Sequence, residues 1–189
     1  MGTRAEFITP IYVADVDEDE RKAIEAEIDQ LDVLFKPGTE YGLESSALVT
    51  PIGDNVLASE SPKTLKAALS KHLNKYLNDI DSPVTNVKIH SSWLTKTLKG
   101  QSIETHSHID KDISGVYYVN SNGEDGDLVL YSSNYATGIT KFISSGNRIN
   151  IPPKQGQIVF FPSWLLHSTT RNTTNNDRIS LALDIVVET

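Results

Sequence analysis

The sequence contains no cysteine, which removes disulfide frameworks, thiolate zinc sites, iron–sulfur clusters and thiol nucleophiles at once. Any metal site must be built from His, Asp and Glu. The chain also lacks an apolar run near the roughly 18 to 20 residues of a membrane span. Met1 to Pro10 has neither the basic start nor the apolar stretch of a secretion signal. Basic residues are the minority, 17 Lys plus Arg against 25 Asp plus Glu, for a formal charge of −8. A nonspecific grip on polyanionic backbones, and duplex nucleic acid as a partner, are therefore disfavoured. These absences point to a cytoplasmic protein without a membrane partner.

What is present suits a single domain, 1–189, long enough to bury roughly 70% of its unfolded surface. Glu6 to Val13 is aromatic and β-branched, and Pro10 makes it an edge strand or extended arm. That edge offers pairing across a dimer while Pro10 opposes a long ladder, so the oligomeric state stays open. Asp17 with Glu20 three residues on has the capping-box pattern, and Ile24, Ile28 and Leu31 form the stripe of a helix over 18–31. Residues 36–61 carry Gly, Pro and Asp punctuation, with one short strand expected near Ala47 to Thr50. Ser61 before Pro62 reads as an N-cap, opening a second helix whose stripe of Leu65, Leu69, Leu73, Tyr76, Leu77 and Ile80 runs to Asp81.

After Pro83 short β-rich runs separated by turn residues continue to the end of the chain. Strands are expected at Val87–Leu98, Gln101–His106, Ile113–Val119, Asp127–Tyr131, Thr140–Ile143, Asn147–Ile151, Gln157–Phe161 and Arg178–Val187. The expected fold is mainly β with supporting helices: a jelly roll over 84–189, behind an N-terminal helical support over 1–83 whose two helices pack on one sheet.

The five histidines are unevenly placed. His106 and His108 stand two apart at a predicted strand end, and His167 follows another strand about sixty residues on. Side chains two apart on an extended segment leave the same face, so His106, His108 and Asp110 can all point into a barrel mouth from one side, and two of them with His167 make a three-point metal site. Such a site, with open positions, suits non-haem Fe(II). Eleven residues past His167, Arg178 and Ser180 share one strand face while Ile179, Leu181 and Leu183 take the other. A guanidinium facing an apolar interior is costly unless it meets an anion, and its fork matches a carboxylate in two hydrogen bonds. The plainer reading pairs Arg178 with Asp177 or Asp184 on a sheet surface.

His106-Ser107-His108, then Ile113 to Val119, then Gly156 to His167, then Arg178-Ile179-Ser180 together resemble the 2-oxoglutarate and Fe(II)-dependent oxygenase superfamily, specifically its small bacterial and phage branch. Phe7 to Tyr12 and Ser92-Trp93 extend the likeness over most of the chain, leaving about 36–61 unmatched. The resemblance implies a double-stranded β-helix, cupin-like in shape, holding Fe(II) and 2-oxoglutarate. It also implies hydroxylation of a C–H bond of a protein side chain, as in prolyl hydroxylases, or of a small molecule, with dioxygen consumed and succinate and CO2 as coproducts. Carried over by residue, it assigns His106, His108 and His167 to the metal, Arg178 and Ser180 to the 5-carboxylate, and Tyr118 to a further hydroxyl, with Tyr117 turned to the core. The compartment implied is the cytoplasm of a bacterial or phage-infected cell, and the primary substrate is not identified.

Two ligand registers stay open, His106 with His108 or His108 with Asp110. In the first, Asp110 or Asp112 can serve as an acceptor that orients an imidazole. A non-catalytic cupin-like module binding a metal or ligand is the competing function, and a purely structural component would scatter the three histidines. Trp93 and Trp164 read as core or rim packing, and His72 and His90 as structural. The segments 132–138 and 169–177 read as polar, flexible lids.

Overall fold

The structure is a computed structural model that describes residues 9–43, 45–51, 55–133 and 147–188. The first part of the chain runs β1 (Tyr12–Asp15), α1 (Glu18–Ile28), β2 (Lys36–Pro37), β3 (Leu48–Val49), α2 (Lys63–Asp79) and β4 (Val87–Thr97). The second part runs β5 (Ile113–Asn120), β6 (Leu128–Tyr131), β7 (Arg148–Ile151), β8 (Gln157–Pro162), β9 (His167–Thr169) and β10 (Arg178–Val187). These form a seven-stranded sheet in the order β1-β8-β5-β10-β4-β3-β2 and a three-stranded sheet in the order β7-β6-β9. The two antiparallel sheets make the double-stranded β-helix, with α1 and α2 against the outer face of the larger one.

Strand alternation builds two cores. On β5 and β8, Tyr117, Ile158 and Phe160 face the helices and pack with Ile24, Leu65, Leu69, Leu181 and Leu183. Their neighbours Tyr118, Val159 and Phe161 turn between the sheets and meet Leu128 and Leu130. That is why β8 reads as an unbroken apolar run: both of its faces are covered.

Helix α1 opens as expected, with the Asp17 carboxylate accepting from Glu20 N at 2.9 Å, but it ends at Ile28, with Leu31 only partly buried beyond it. Helix α2 differs at its start. It begins at Lys63, and no side chain at its own cap position bonds to it. Glu27 of α1 supplies the cap instead, accepting from Thr64 N at 2.9 Å, Thr64 Oγ1 at 2.8 Å and Leu65 N at 3.3 Å. A carboxylate satisfies several helix donors and complements the dipole, which the Ser61 hydroxyl does less well. Burial pushes the Glu27 carboxyl up, but the Thr64 and Leu65 hydrogen bonds outweigh it and hold the group below its ordinary value. Glu27→Ala is expected to cost about 1 kcal/mol, in the range of a lost cap. Because the folded value is lowered, that contribution is complete above the ordinary carboxylate range and lost as pH falls through the lowered value. Denaturant titrations of both proteins at neutral and acid pH should show the gap closing on the acid side.

The expected strand at Gln101–His106 is absent: that stretch makes only single bridges, Ser45 with Ile103 and His106 with His167. The turn at Leu98–Gln101 and the left-handed Gly100, at φ 85°, break the pleat just before it. Strand β9 forms at His167–Thr169, beyond the expected strand Gln157–Phe161, where no strand was expected. The expected strand at Thr140–Ile143, most of 132–138 and residues 6–8 lie outside the described residues. Gly115 on β5 sits where the sheet meets the helix-side core, and a Cβ there would lie 2.7 Å from both Leu183 and Phe160. Gly115→Ala is expected to destabilise by about 1–3 kcal/mol through overpacking, read as a fall in the thermal midpoint of several degrees.

Candidate metal and 2-oxoglutarate site

A cavity of about 640 Å³ opens between the two sheets. The segment from His106 to His108 is laid along the segment from Ser163 to His167: the backbones of His106 and His167 exchange two hydrogen bonds of 2.9 Å, and His108 N donates to Ser163 O at 2.9 Å. This brings His167 onto the pair His106 and His108, which lie about sixty residues before it in the chain. One ring nitrogen from each of His106, His108 and His167 lies within 4.8 Å of the others, a group that could hold a metal ion.

The other ring nitrogen is engaged in each case. His106 Nδ1 faces Glu104 O at 2.9 Å, His167 Nδ1 faces Leu165 O at 2.9 Å, and His108 Nδ1 faces Asp184 Oδ1 at 2.5 Å. All three partners are acceptors, so each Nδ1 carries a proton, and in the neutral ring that leaves the lone pair on Nε2. That is the tautomer a metal ligand needs. Burial, reinforced by the neighbouring imidazoles, pulls His167 down to about 3, and burial likewise lowers His106. Both rings are therefore neutral at pH 7, with no proton for a metal to displace.

Asp110 lies apart from this group, with an exposed carboxylate 2.5 Å from Lys111 Nζ. Nor does Asp112 orient an imidazole, since its carboxylate accepts from Val187 N at 2.7 Å. The acceptor on His108 is Asp184, which the sequence reading considered only as a partner for Arg178. A signal was available: Asp184 follows Arg178 and Ser180 at even spacing and so shares their strand face.

The inward face of β10 carries Arg178, Ser180, Ala182 and Asp184 along the cavity, while Ile179, Leu181, Leu183 and Ile185 face the helices. Arg178 is 1% exposed and forms no ion pair with Asp177 or Asp184; Asp177 pairs with Lys96 instead. Its Nη1 donates to Gly126 O and its Nη2 to Thr97 Oγ1 at 3.1 Å, while Nε is buried without a partner. Burial lowers its affinity for the proton, opposed by the nearby Tyr118, Asp125 and Asp127. Gly126, at φ 108°, has to be glycine, because a Cβ would lie 2.5 Å from Thr170 O and 3.1 Å from Arg178 Nη1. Tyr118 lines the same cavity and burial pushes its phenol up to about 12, keeping it a neutral hydroxyl; Tyr117 is in the helix-side core.

Trp93 does not sit in a core. It lines the cavity, its ring 5.9 Å from that of His108. Its position on β4 opposite Ala182 turns it inward, which its strand-like neighbours did not reveal. Trp164 is 47% exposed. His72 hydrogen-bonds Tyr12 at 2.7 Å between α2 and β1, and His90 is exposed. The 169–177 segment is not a loose lid: fully buried Asn172 donates to Thr97 O at 3.0 Å and to Asn176 O at 2.7 Å, tying it to the barrel.

This is the jelly-roll architecture with a histidine cluster between its sheets, and known structures share it. The fold is similar to a prolyl-4-hydroxylase from Pseudomonas putida, at 15% identity and TM-score 0.65, over 95% of this chain and 94% of that one. It is similar to HygX from Streptomyces hygroscopicus with nickel, 2-oxoglutarate and hygromycin B bound, at 14% identity and TM-score 0.65, over 95% and 83%. A Trichoplax adhaerens prolyl hydroxylase in complex with a hypoxia inducible factor peptide gives 14% identity and TM-score 0.64, over 95% and 84%. No curated protein matches the sequence. Residues 91–184 match the family described as "Putative 2OG-Fe(II) oxygenase". Over that segment, which holds the three histidines with Arg178 and Ser180, the chain matches the 2OG-Fe(II) oxygenases, enzymes that use Fe(II) and 2-oxoglutarate. Among the described residues no helix is long and apolar enough to cross a membrane.

Proposed function

We propose that His106, His108 and His167 hold the Fe(II), that Arg178 and Ser180 hold the 5-carboxylate of 2-oxoglutarate with Tyr118 adding a hydroxyl, and that the enzyme hydroxylates a C–H bond of a protein side chain or a small molecule. The observation that carries this reading is Arg178. A guanidinium buried to 1% exposure, with Nε unpartnered and no carboxylate bound to it among the described residues, is a costly feature that an incoming anion resolves. The three bare Nε2 atoms supply the matching metal donors.

Ferrous iron with 2-oxoglutarate supplies the oxidising power: dioxygen is consumed, the cosubstrate is decarboxylated to succinate and CO2, and a substrate C–H bond gains oxygen. The chain's own residues bind and orient. Arg178 and Ser180 fix one end of the cosubstrate, the three histidines hold the metal, and Val116, Leu128 and Phe161 make an apolar wall that limits water. Trp93 flanks His108 where a substrate would approach. Two of the similar structures are prolyl hydroxylases and another holds hygromycin B, which supports the protein-side-chain and small-molecule classes alike. A cysteine-free chain suits the reducing cytoplasm.

The test is anaerobic addition of Fe(II) and then 2-oxoglutarate to the purified protein, followed by visible absorption. The weak charge-transfer band of iron and cosubstrate bound together is the expected result. Bound iron without that band would overturn the reading and leave a metal-binding module.

A further inference from the structure

We propose that Asp184 is a positioning residue of the metal centre, acting through His108: it holds that ring by Nδ1 with Nε2 free to face the metal, and sets beside three imidazole ligands the negative charge their set lacks. This rests on the reading of His108 as a ligand. His106 and His167 rest Nδ1 on backbone carbonyls, whereas His108 alone rests it on a carboxylate, at 2.5 Å. Asp184 is 6% exposed, and among the described residues it has no Lys or Arg partner.

Its other contacts come from the strands on either side of β10. Ser91 on β4 and Ser114 on β5 stand directly opposite Asp184 in the two ladders, and their hydroxyls donate to it at 3.1 Å and 3.5 Å. Ser114 Oγ is in turn 2.9 Å from Ser163 Oγ, and the Ser163 carbonyl accepts from His108 N at 2.9 Å. Ring and backbone of His108 are thus tied to one network. A carboxylate acceptor at Nδ1 orients the imidazole and makes Nε2 a stronger donor. Here it also places one negative charge a single residue away from a site whose three ligands bring none.

The test is Fe(II) affinity, measured by anaerobic calorimetry without 2-oxoglutarate or oxygen, together with the unfolding midpoint of each metal-free variant. Asp184→Asn keeps an oxygen for the Nδ1 proton and removes the charge; it is expected to fold normally and bind Fe(II) about 10- to 100-fold more weakly, with Asp184→Glu recovering part of the loss. His108→Ala should weaken binding at least as much. If His108→Ala binds iron like the wild type, the ligand reading itself fails. If His108→Ala loses iron while Asp184→Asn binds like the wild type, the role of Asp184 is overturned and the ligand reading stands. Should the variants not fold, the nitrogen-15 spectrum of the metal-free wild type decides: His108 is expected to show a protonated Nδ1 and a bare Nε2, and the opposite tautomer overturns the proposal.

Discussion

Arg178→Ala should abolish measurable 2-oxoglutarate binding while leaving the protein folded. The guanidinium is enclosed, and its hydrogen bonds go to neutral groups, Gly126 O and Thr97 Oγ1. A charge-assisted pair formed in such a place is worth several times a surface pair, and truncating one partner of a buried pair typically costs about 2–5 kcal/mol, a factor of roughly 30 to several thousand in affinity. Without ligand, the same charge is poorly compensated, so its removal should cost the apoprotein little. The measurement is a thermal melt with and without 2-oxoglutarate. Wild type should gain stability with concentration by mass action, whereas the variant's midpoint should not move. Arg178→Lys should fail nearly as completely, since an ammonium cannot offer two parallel N–H groups to a carboxylate. A cosubstrate-dependent rise in the Arg178→Ala midpoint equal to the wild type's would show that the anion is held elsewhere.

The second large effect is expected at the metal. His167→Ala should lower Fe(II) affinity by at least about 100-fold, because one of three converging donors is lost. His167 is the most enclosed of the three, 7% exposed, with Nδ1 fixed on Leu165 O and its ring 4.2 Å from that of His106. Its lowered proton affinity means that metal binding near neutral pH displaces nothing from it. Calorimetry in buffers of different ionisation enthalpy should therefore show almost no proton release from this ring. Asp110→Ala is the companion measurement: its carboxylate is exposed on Lys111, so iron should bind as in the wild type. Loss of iron in Asp110→Ala with retention in His106→Ala would move the ligand set to the other register.

Parts of this site were legible in the sequence for definite reasons. Arg178 to Val187 is a long alternating run, so its limits and the inward turn of Arg178 and Ser180 could be read directly from period two. The adjacent tyrosines of β5 separate by the same rule, one to each core. The segment before His106 was misread because alternating residues imitate a strand, whereas the backbone there bonds only at isolated points. Asp184 escaped as the partner of His108 because the two are 76 residues apart and meet only once β10 is set between β4 and β5. Trp93 escaped because β4 is paired on one side with a strand that faces the cavity, which the run itself does not announce. The Glu27 cap on α2 was hidden similarly, being supplied from another helix. Local periodicity carries faces and lengths; contacts between distant segments need the sheet order.

The parity of β10 has a consequence for how this protein can diverge. Odd-numbered residues from Ile179 to Ile185 answer to the helices, and even-numbered ones from Arg178 to Asp184 answer to the cavity. Selection on one set leaves the other untouched, so the cavity wall at Ala182 can be enlarged or reduced without disturbing the layer that keeps the chain folded. The same arrangement forbids a shift of register. A slip by one residue would drive a guanidinium and a carboxylate among leucines and turn the leucines toward the histidines, and foldedness and chemistry would be lost in a single step.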